Sequence, residues 1–395
     1  MSLKVSLLGM DLKTPFLVAS GPRLGEGGTI KDILKSLRQD WGGVVTKTYM
    51  NEARQGATPH LWSSPEYIGF GMQNAGPKMT DPTAEELKAL KESCEQAHGE
   101  GMVIIGSIMG RWQTEWEELT DKVQAAGVDA LELNLSCPAR EGAFVKHRTG
   151  GYLSQHPDLA AEAVRSAKKA ASVPLIAKLS PNVTDIVEIA RACQEAGADG
   201  LSAINTVSGI IGIDVESGIP YSSDIANRAY ISGLSGPMIR PVGLRAVSDL
   251  CSQMDLPVIG IGGIEDWKSA VEYLMVGATA VQVCTAFMWK GHKLGRTMRR
   301  GLSEFMERKG YRSTNDFRGA SLKYLTTAVE KTKVRALIAE DKCNGCKACE
   351  IACVESSYGA IHVKEKMAVV DPGLCIGCGL CNVVCRRNAV SYIAV

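Results

Sequence analysis

Short apolar runs recur through the first part of the chain, and each of them ends in small or polar residues. Eight runs are rich in β-branched side chains and predict strands. They are Phe16–Ser20, Val44–Thr48, Val103–Met109, Ala130–Ser136, Pro174–Ser180, Gly200–Thr206, Val258–Gly262 and Ala280–Ala286. Because their interiors are almost continuously apolar, we expect parallel strands that are buried on both faces.

Helical periodicity fills the segments between these strands. It predicts helices over Thr83–His98, Thr114–Ala126, Pro157–Ala171, Val183–Ala196 and Trp267–Val276. In AAGVDAL, EAGADGL and MVGATAV, a glycine follows the helix and suits the left-handed turn that closes it. Eight strand–helix units in about 290 residues predict an α/β fold of the (β/α)8 TIM-barrel type. A doubly wound open sheet is the alternative.

Polar side chains gather at the carboxyl ends of the predicted strands. They are Ser20, Lys47, Asn134, Lys178 and Asn205. In a TIM barrel these ends form the active-site face, so the pattern predicts where the site lies. Two connections at this face, 137–155 and 206–237, are longer than a turn requires and are typical of lids or binding loops.

Eight of the 13 cysteines lie near the end of the chain, in two runs with the spacing C-x2-C-x2-C-x3-C. Bacterial ferredoxins with two [4Fe–4S] clusters have this spacing, and the fourth cysteine of each run binds the other cluster. The predicted ligand sets are Cys343, Cys346, Cys349 and Cys385 for one cluster, and Cys375, Cys378, Cys381 and Cys353 for the second. Zinc sites, which usually pair two C-x2-C units across a longer gap, and a disulfide framework are the alternatives.

Composition and charge limit the function classes. The net charge is +1, which gives no reason to expect nucleic acid or an anionic membrane as a partner. No apolar run reaches the roughly 18 residues that a spanning helix needs, and the first residues make a poor signal peptide. We therefore expect a cytoplasmic protein with a barrel over 1–289, a helical connector over 290–339 and a ferredoxin-like 2[4Fe–4S] domain over 340–395.

Glycine-rich turns follow the last two predicted barrel strands. GIGGIEDW covers Gly260–Trp267 and VQVCTA covers Val281–Ala286, which is where barrels usually bind phosphate. A phosphate site together with two clusters implies FMN, which exchanges hydride with substrates and single electrons with clusters. Lys47 and Lys178 are candidates to lie beside the flavin ring, since a lysine at the end of a buried strand is otherwise unfavourable. No G-x-G-x-x-G follows the first strand, so a built-in NAD site is not expected.

With these motifs in view, the chain resembles the pyrimidine-reducing half of dihydropyrimidine dehydrogenase, in particular the bacterial PreA-type subunits. More broadly it resembles the dihydroorotate dehydrogenase barrel family. The stretches that carry the resemblance are VTKT around Lys47, ALELNLSCP at Ala130–Pro138, AKLSPNVTDIVEIAR at Ala177–Arg191, INTVSG at Ile204–Gly209, SGLSG, IRPVGLRAV, GIGGI, VQVCTA and the two-cluster tail.

The resemblance implies roles for individual residues. The implied FMN-binding residues are Ser20, Lys47, Lys178, Ser235, Gly236, Gly262, Gly263, Cys284 and Thr285. The implied substrate-binding residues are Asn74, Asn134, Asn205 and Thr206. Cys137 matches the active-site cysteine of the family, which exchanges a proton with the substrate carbon beside the one that takes hydride. Such a general acid is needed because hydride addition leaves carbanion character on the neighbouring carbon.

These features predict an oxidoreductase that acts on CH–CH groups. We expect reversible reduction of the C=C bond of a cyclic, carbonyl-conjugated substrate, with uracil or thymine as first choice. Electrons would enter through the two clusters, hydride would come from N5 of FMN, and the proton would come from Cys137. The expected electron donor is a separate NAD(P)H-oxidising flavoprotein subunit or a ferredoxin. The resemblance also implies a homodimer, or a heterotetramer with a donor subunit.

Two departures from the pyrimidine enzymes keep other substrates open. After SCP the chain continues AREGAFVKHRTGG instead of a His-Gly-Met and glycine-rich loop, and GFGMQNAGPKM lacks the Asn-x-Glu that reads the amide edge of a pyrimidine. Lys146, His147 and Arg148 suit an anionic group on a bulkier ring or enone, which is the runner-up. Dihydroorotate oxidation and an electron-transfer subunit without catalysis of its own are less favoured.

Overall fold

A computed structural model describes residues 2–21, 27–52, 59–74, 79–136, 150–229, 231–326 and 333–395 of the chain. The chain divides into two units, Met1–Leu325 and Thr326–Val395. Among the described residues, no helix is both long and apolar enough to cross a bilayer.

Eight parallel strands of the first unit close into a barrel in the order in which they occur along the chain. They are Phe16–Val18, Gly43–Val45, Val103–Ile108, Ala130–Asn134, Leu175–Leu179, Gly200–Ala203, Val258–Ile261 and Ala280–Val283. The eighth strand pairs with the first, with Val281 opposite Phe16, so the predicted TIM barrel is confirmed and the open-sheet alternative is excluded. Each strand ends one to three residues before its predicted end. Some residues just beyond the strands still bond to the neighbouring strand, as the N–H of Ala19 does to the carbonyl of Val283 and that of Asn205 to the carbonyl of Leu179.

Helices surround the barrel and connect its strands. Their bounds are Gly27–Leu37, Ala84–Gly99, Gln113–Gln124, Pro157–Ala170, Ile186–Glu195, Arg240–Gln253, Trp267–Met275, Thr285–Lys290 and Leu294–Lys309. Short 3-10 helices lie at Pro65–Tyr67, Leu153–Gln155, Pro237–Ile239, Thr314–Asp316 and Leu322–Tyr324. The three glycines predicted to close helices, Gly127, Gly197 and Gly277, have φ values of 90°, 103° and 105°. They adopt the conformation that only glycine takes without strain.

An N-terminal hairpin closes the amino end of the barrel. Its antiparallel strands are Val5–Leu7 and Met10–Leu12. Leu7 and Leu12 are fully buried and pack in one cluster with barrel residues such as Val45 and Ile105. This packing leaves the carboxyl end of the barrel for binding.

A small antiparallel sheet, which we call the cap sheet, is built from the connections after the second and sixth barrel strands. Its strands lie in the order Val207–Gly209, Ser232–Ser235, Met72–Asn74 and Leu61–Trp62. The long connection 206–237 therefore contributes two strands of this sheet. Of the other long connection, 137–155, residues 137–149 lie outside the described part of the chain.

The second unit carries the two cysteine runs. Val334–Ile338 pairs with Val390–Ala394, and Ile361–Lys364 pairs with Met367–Val370. Its helices are Ala348–Glu355 and Leu380–Val383. The residues predicted as a connector, 290–339, are shared between the two units. Leu294–Lys309 belongs to the barrel unit because it buries apolar residues such as Met298 and Leu302 there, whereas Val334–Ile338 is a strand of the second unit.

Candidate functional site

A cavity opens at the carboxyl end of the barrel, with about 1130 Å³ of empty space when its mouth is included. Its lining combines apolar side chains with a few polar ones, which is typical of small-molecule and cofactor sites. All the described residues predicted to bind flavin or substrate line this cavity. They are Ser20, Lys47, Asn74, Asn134, Lys178, Asn205, Thr206, Ser235, Gly236, Gly262, Gly263, Cys284 and Thr285. Cys137 lies outside the described residues.

The floor of the cavity contains a buried ion pair. Lys178 Nζ lies 2.9 Å from Glu132 Oε1, and both side chains are almost completely inaccessible to solvent. Glu132 Oε2 also accepts hydrogen bonds from Ser202 Oγ at 2.9 Å and from Gln282 Nε2 at 2.7 Å. These four residues come from the fourth, fifth, sixth and eighth strands, so the carboxylate joins half of the barrel strands at one point.

Cys284 directly follows the eighth barrel strand and lines the cavity. Burial raises the pKa of its thiol, although the positive charges of Lys178 and Lys47 act in the opposite direction. Its Sγ lies 3.7 Å from the carbonyl oxygen of Ser20. Cys284 is therefore a neutral thiol at neutral pH, which suits a wall residue better than a nucleophile.

One end of the cavity is formed by glycines where a side chain would not fit. Gly236, Gly262 and Gly263 have φ values of 94°, 122° and 68°. A Cβ on Gly263 would come within 2.7 Å of Arg240 Cβ, and a Cβ on Gly236 would come within 3.0 Å of a backbone oxygen. Thr285 opens the helix Thr285–Lys290 beside this turn. A glycine turn beside the first residue of a helix is the kind of backbone arrangement that suits a phosphate.

Side-chain amides meet on the other side of the mouth. Asn205 Nδ2 donates to Ser136 Oγ at 2.8 Å and to Asn134 Oδ1 at 3.4 Å. Asn134 Nδ2 donates in turn to Thr48 Oγ1 at 3.1 Å. The Oδ1 atom of Asn205 accepts a hydrogen bond from the backbone N–H of Thr206 at 2.8 Å. The network holds both amide planes in fixed orientations.

The cap sheet contributes Asn74 to the cavity wall. Asn74 Oδ1 accepts hydrogen bonds from Ser232 Oγ at 2.8 Å and from the N–H of Gly233 at 3.1 Å. His60, which the sequence analysis did not single out, lies beside it in the wall. The cap sheet and the residue that precedes its strand Leu61–Trp62 thus add an amide and an imidazole to the groups supplied by the barrel.

The cavity fits a flavin nucleotide on two observations. Within the described part of the chain, Thr206 Oγ1 and Gln282 Oε1 are buried and have no hydrogen-bond partner, although both residues line the cavity. A buried polar atom without a partner costs about 1–3 kcal/mol, so a ligand that bonds to it is favoured. The glycine end provides a cradle of backbone N–H groups, and the floor provides two lysines. These are the partners that a phosphate and an electron-accepting ring require.

The second unit contains two smaller cavities, of about 370 and 360 Å³. One is lined by Cys343, Cys346, Cys349 and Cys385, and the other by Cys353, Cys375, Cys378 and Cys381. Backbone N–H groups point at cysteine sulfurs in both. Ala368 N lies 3.4 Å from Cys343 Sγ, and Ala360 N lies 3.2 Å from Cys353 Sγ. Four thiols around one space, with backbone N–H donors to some of the sulfurs, fit an iron–sulfur cluster.

Two site residues besides His60 were missed by sequence reasoning: Glu132 and Gln282. Glu132 had a signal, because it is a charged residue inside the otherwise apolar strand Ala130–Asn134. Gln282 had a similar signal inside Ala280–Val283.

Comparison with known proteins agrees with this geometry. Residues 2–306 match the family model described as dihydroorotate dehydrogenase, and residues 336–392 match the 4Fe-4S dicluster domain. The chain is 34% identical over 376 residues to the NAD-dependent dihydropyrimidine dehydrogenase subunit PreA of Escherichia coli, covering 92% of this chain and 88% of that one. It is 38% identical over 324 residues to the catalytic subunit of dihydroorotate dehydrogenase B (NAD(+)) of Pyrococcus abyssi, covering 81% and 99%. It is 31% identical over 350 residues to the chloroplastic dihydropyrimidine dehydrogenase (NADP(+)) of Arabidopsis thaliana, covering 84% and 79%.

The chain therefore belongs to the dihydroorotate dehydrogenase family, in which the barrel is joined here to a dicluster domain. Within that family it is a dihydropyrimidine dehydrogenase-like oxidoreductase that acts on CH–CH groups. The predicted resemblance is confirmed, and so are its cofactors, FMN and two [4Fe–4S] clusters.

Proposed function

We propose that this chain reversibly reduces the C=C bond of a cyclic, carbonyl-conjugated substrate, with uracil or thymine as the first choice. The observation that carries the proposal is the composition of the barrel cavity. It combines two lysines and a glycine cradle on one side with a network of side-chain amides on the other. A ring with alternating carbonyl and N–H groups is the kind of molecule that paired amides recognise.

The residues that would hold FMN are those of the floor and the glycine end. Gly236, Gly262, Gly263 and Thr285 suit the phosphate, and Lys47, Lys178, Ser20, Cys284 and Ser235 suit the ring and the rest of the nucleotide. Bound FMN would supply hydride exchange with the substrate and single-electron exchange with the clusters. Two lysine ammonium groups at the floor would favour an electron-rich ring by direct electrostatic attraction.

Four side chains would orient the substrate: Asn74, Asn134, Asn205 and Thr206. The hydroxyl of Thr206 has no partner within the described residues, so it remains available for the substrate. Because the hydrogen bonds of Asn134 and Asn205 to Thr48 and Ser136 fix their amide planes, they lose little freedom on binding.

Cys137 is the proposed general acid. It is covalently next to Ser136, whose Oγ accepts the hydrogen bond from Asn205. A thiol with a pKa near its ordinary value of about 8.5 keeps its proton at neutral pH and gives it to the carbanionic carbon next to the reduced one.

Electrons are proposed to reach the barrel through the dicluster unit from a separate NAD(P)H-oxidising flavoprotein subunit. Support comes from the Escherichia coli relative, whose name makes it a subunit of an NAD-dependent enzyme. The absence of a G-x-G-x-x-G fingerprint after the first strand also favours a separate donor. A heterotetramer with that subunit is the proposed assembly, and a ferredoxin donor with a homodimer is the alternative.

A second candidate is dihydroorotate oxidation or the reduction of another anionic ring. It is favoured by the 38% identity to the Pyrococcus abyssi catalytic subunit, which is matched over 99% of its length. His60 in the cavity wall is a suitable partner for a carboxylate. The two candidate functions share the flavin site, and they differ only in the substrate substituent that would lie against the cap sheet.

An anaerobic assay separates these candidates. The purified holoenzyme is reduced with a low-potential viologen dye, and uracil, thymine or orotate is added in separate runs. We expect rapid dye reoxidation and formation of the dihydropyrimidine with uracil or thymine. Reoxidation with orotate alone would assign the second candidate. If none of the three reoxidises the dye while flavin and clusters are present, the proposal is wrong.

Two cysteine variants, one at the proposed proton donor and one as a control, test the role of Cys137. Cys137→Ala should lower turnover by about 10²–10⁴-fold, the usual contribution of a general acid, while the flavin and cluster spectra persist. Cys94→Ala removes a buried thiol of the helix Ala84–Gly99, away from the cavity, and should leave turnover within about twofold. Equal turnover of the two variants would contradict the role of Cys137.

A further inference from the structure

Glu132 is a carboxylate enclosed in the barrel, with no exposure to solvent. It is not part of the cavity wall, yet two of its three partners, Lys178 and Gln282, are. The third partner, Ser202, is fully buried as well. An ionised side chain in such a place is costly unless it is paired and hydrogen-bonded, and here both requirements are met.

We propose that Glu132 is the positioning residue of the flavin site, because it orients Lys178 and Gln282 together and sets the net charge beneath the flavin. This inference rests on the proposed placement of FMN over Lys178. It concerns a residue that touches neither cofactor nor substrate and acts only through its neighbours.

The orientation of Gln282 follows from its bond to the carboxylate. Its Nε2 donates to Glu132 Oε2 at 2.7 Å, so its Oε1 occupies the other end of the amide. Within the described residues that oxygen is buried and has no partner. The NH2 group of Gln282 is a donor, so only an acceptor can fix its direction, and the Glu132 carboxylate is that acceptor. Gln282 is thereby committed to accept a hydrogen bond from a donor on the bound molecule.

The orientation and charge of Lys178 follow from the same carboxylate. Its Nζ lies 2.9 Å from Glu132 Oε1, which fixes the ammonium at the floor and compensates its charge. Lys47 also lines the cavity, and its charge acts on the pKa of Cys284 in the same direction as that of Lys178. The carboxylate thus compensates one of the positive charges beneath the proposed flavin, which limits how strongly the floor would favour the anionic, reduced ring.

Removal of the carboxylate charge gives the first test. In the Glu132→Gln holoenzyme the floor carries one more positive charge, so reduced FMN should gain affinity relative to oxidised FMN. We expect the ratio of the two affinities, obtained from the flavin midpoint potential in anaerobic spectroelectrochemistry, to rise at least tenfold. For a two-electron couple this is a shift of about +30 mV. An unchanged or lowered ratio would overturn the proposal.

Two conservative variants separate charge from orientation. Glu132→Asp keeps the charge but is one methylene shorter, so it cannot reach Lys178 and Gln282 together. We expect its affinity ratio to stay within twofold of the parent protein, whereas its affinity for oxidised FMN falls at least fivefold. Ser166→Ala is the matched control, because Ser166 is buried in the helix Pro157–Ala170 and does not line the cavity. Both the affinity ratio and the affinity for oxidised FMN should stay within twofold of the parent protein in this variant.

A double variant keeps the test decisive even where Glu132→Gln fails to fold. Lys178→Met leaves Glu132 uncompensated and should lower the affinity ratio, whereas Lys178→Met combined with Glu132→Gln should restore it to within threefold of the parent protein. If the ratio is not restored, the coupling does not exist and the inference fails. If Lys178→Met changes neither the ratio nor the affinity for FMN, the proposed placement of FMN over Lys178 is wrong, which is a separate result.

Discussion

The hydroxyl of Tyr273 donates a hydrogen bond of 2.7 Å to the carbonyl oxygen of Gly262, where the seventh barrel strand turns into the glycine end of the cavity. Tyr273 is fully buried, and two glycines make room for its ring. A Cβ on Gly243 would come within 2.0 Å of its Oη, and a Cβ on Gly260 within 2.5 Å of its Cδ1. A helix residue with no contact to the cavity thus holds the turn that suits a phosphate.

Tyr273→Phe should therefore weaken FMN binding without unfolding the barrel. The variant leaves the carbonyl of Gly262 without its partner, which costs about 1–3 kcal/mol and loosens the turn. We expect the dissociation constant of FMN to rise about five- to tenfold. Equilibrium dialysis with detection of flavin fluorescence measures this dissociation constant.

Tyr311→Phe is the control, because Tyr311 makes ring contacts with Phe305 and Phe317 outside the cavity. Equal constants in the two variants would show that the hydroxyl of Tyr273 is not needed.

Asn205→Asp tests the amide network. The substitution keeps the size of the side chain but replaces the NH2 donor with an acceptor that faces Ser136 Oγ and Asn134 Oδ1. The variant site loses a hydrogen bond to the substrate and gains an unpaired charge, and both changes weaken binding of the transition state. We therefore expect kcat/KM to fall by at least about 10²-fold. Flavin and cluster absorbance should be retained. Asn315→Asp, an exposed change elsewhere on the barrel unit, should leave kcat/KM unchanged. A loss of flavin in Asn205→Asp would assign the residue to the cofactor instead.

The barrel and the location of its site could be predicted because the evidence is local in the sequence. Buried parallel strands read as apolar runs, and a lysine such as Lys178 at the end of one run marks the active-site face. The cysteine runs are equally local, since three cysteines of each set lie within seven residues. Periodicity and spacing carry this information without reference to the rest of the chain.

The cap sheet could not be predicted, because its strands are two to four residues long and contain small residues, as in SGLS and VSG. Strands of this kind exist through pairing with distant segments rather than through their own propensity. The roles of Gln282 and Tyr273 depend on the same non-local information. Gln282 meets Glu132 across 150 positions of sequence, a contact that only the closed barrel creates.

Alkaline pH should destabilise the barrel through its buried thiols. Burial raises the pKa of Cys193 to about 12. An unfolded thiol has a pKa of about 8.5, so above that pH the unfolded state loses the proton that the folded state keeps. The free energy of unfolding should therefore fall by about 1.4 kcal/mol per pH unit for this thiol between pH 8.5 and 12. Cys193→Ala should make the pH slope shallower by that amount in urea unfolding of the full chain.

Ser166→Ala is the matched control for this slope. Ser166 is buried in the helix Pro157–Ala170, and its hydroxyl does not titrate in this range. The variant should shift the free energy of unfolding by a constant and leave its pH dependence as in the parent protein. If Cys193→Ala also leaves the slope unchanged, the thiol titrates alike in the folded and unfolded states.

Pairs of cysteine variants decide how the two runs share the clusters. Cys343 and Cys385 line the same cavity although 42 positions separate them, whereas Cys353 lines the other cavity. Cys343→Ser combined with Cys385→Ser should therefore remove one cluster and retain about four iron atoms per chain. Cys343→Ser combined with Cys353→Ser should damage both clusters. Iron analysis and low-temperature EPR of the reduced, anaerobically purified proteins measure the difference. Retention of one intact cluster in the second pair, with loss of both in the first, would mean that each run binds its own cluster.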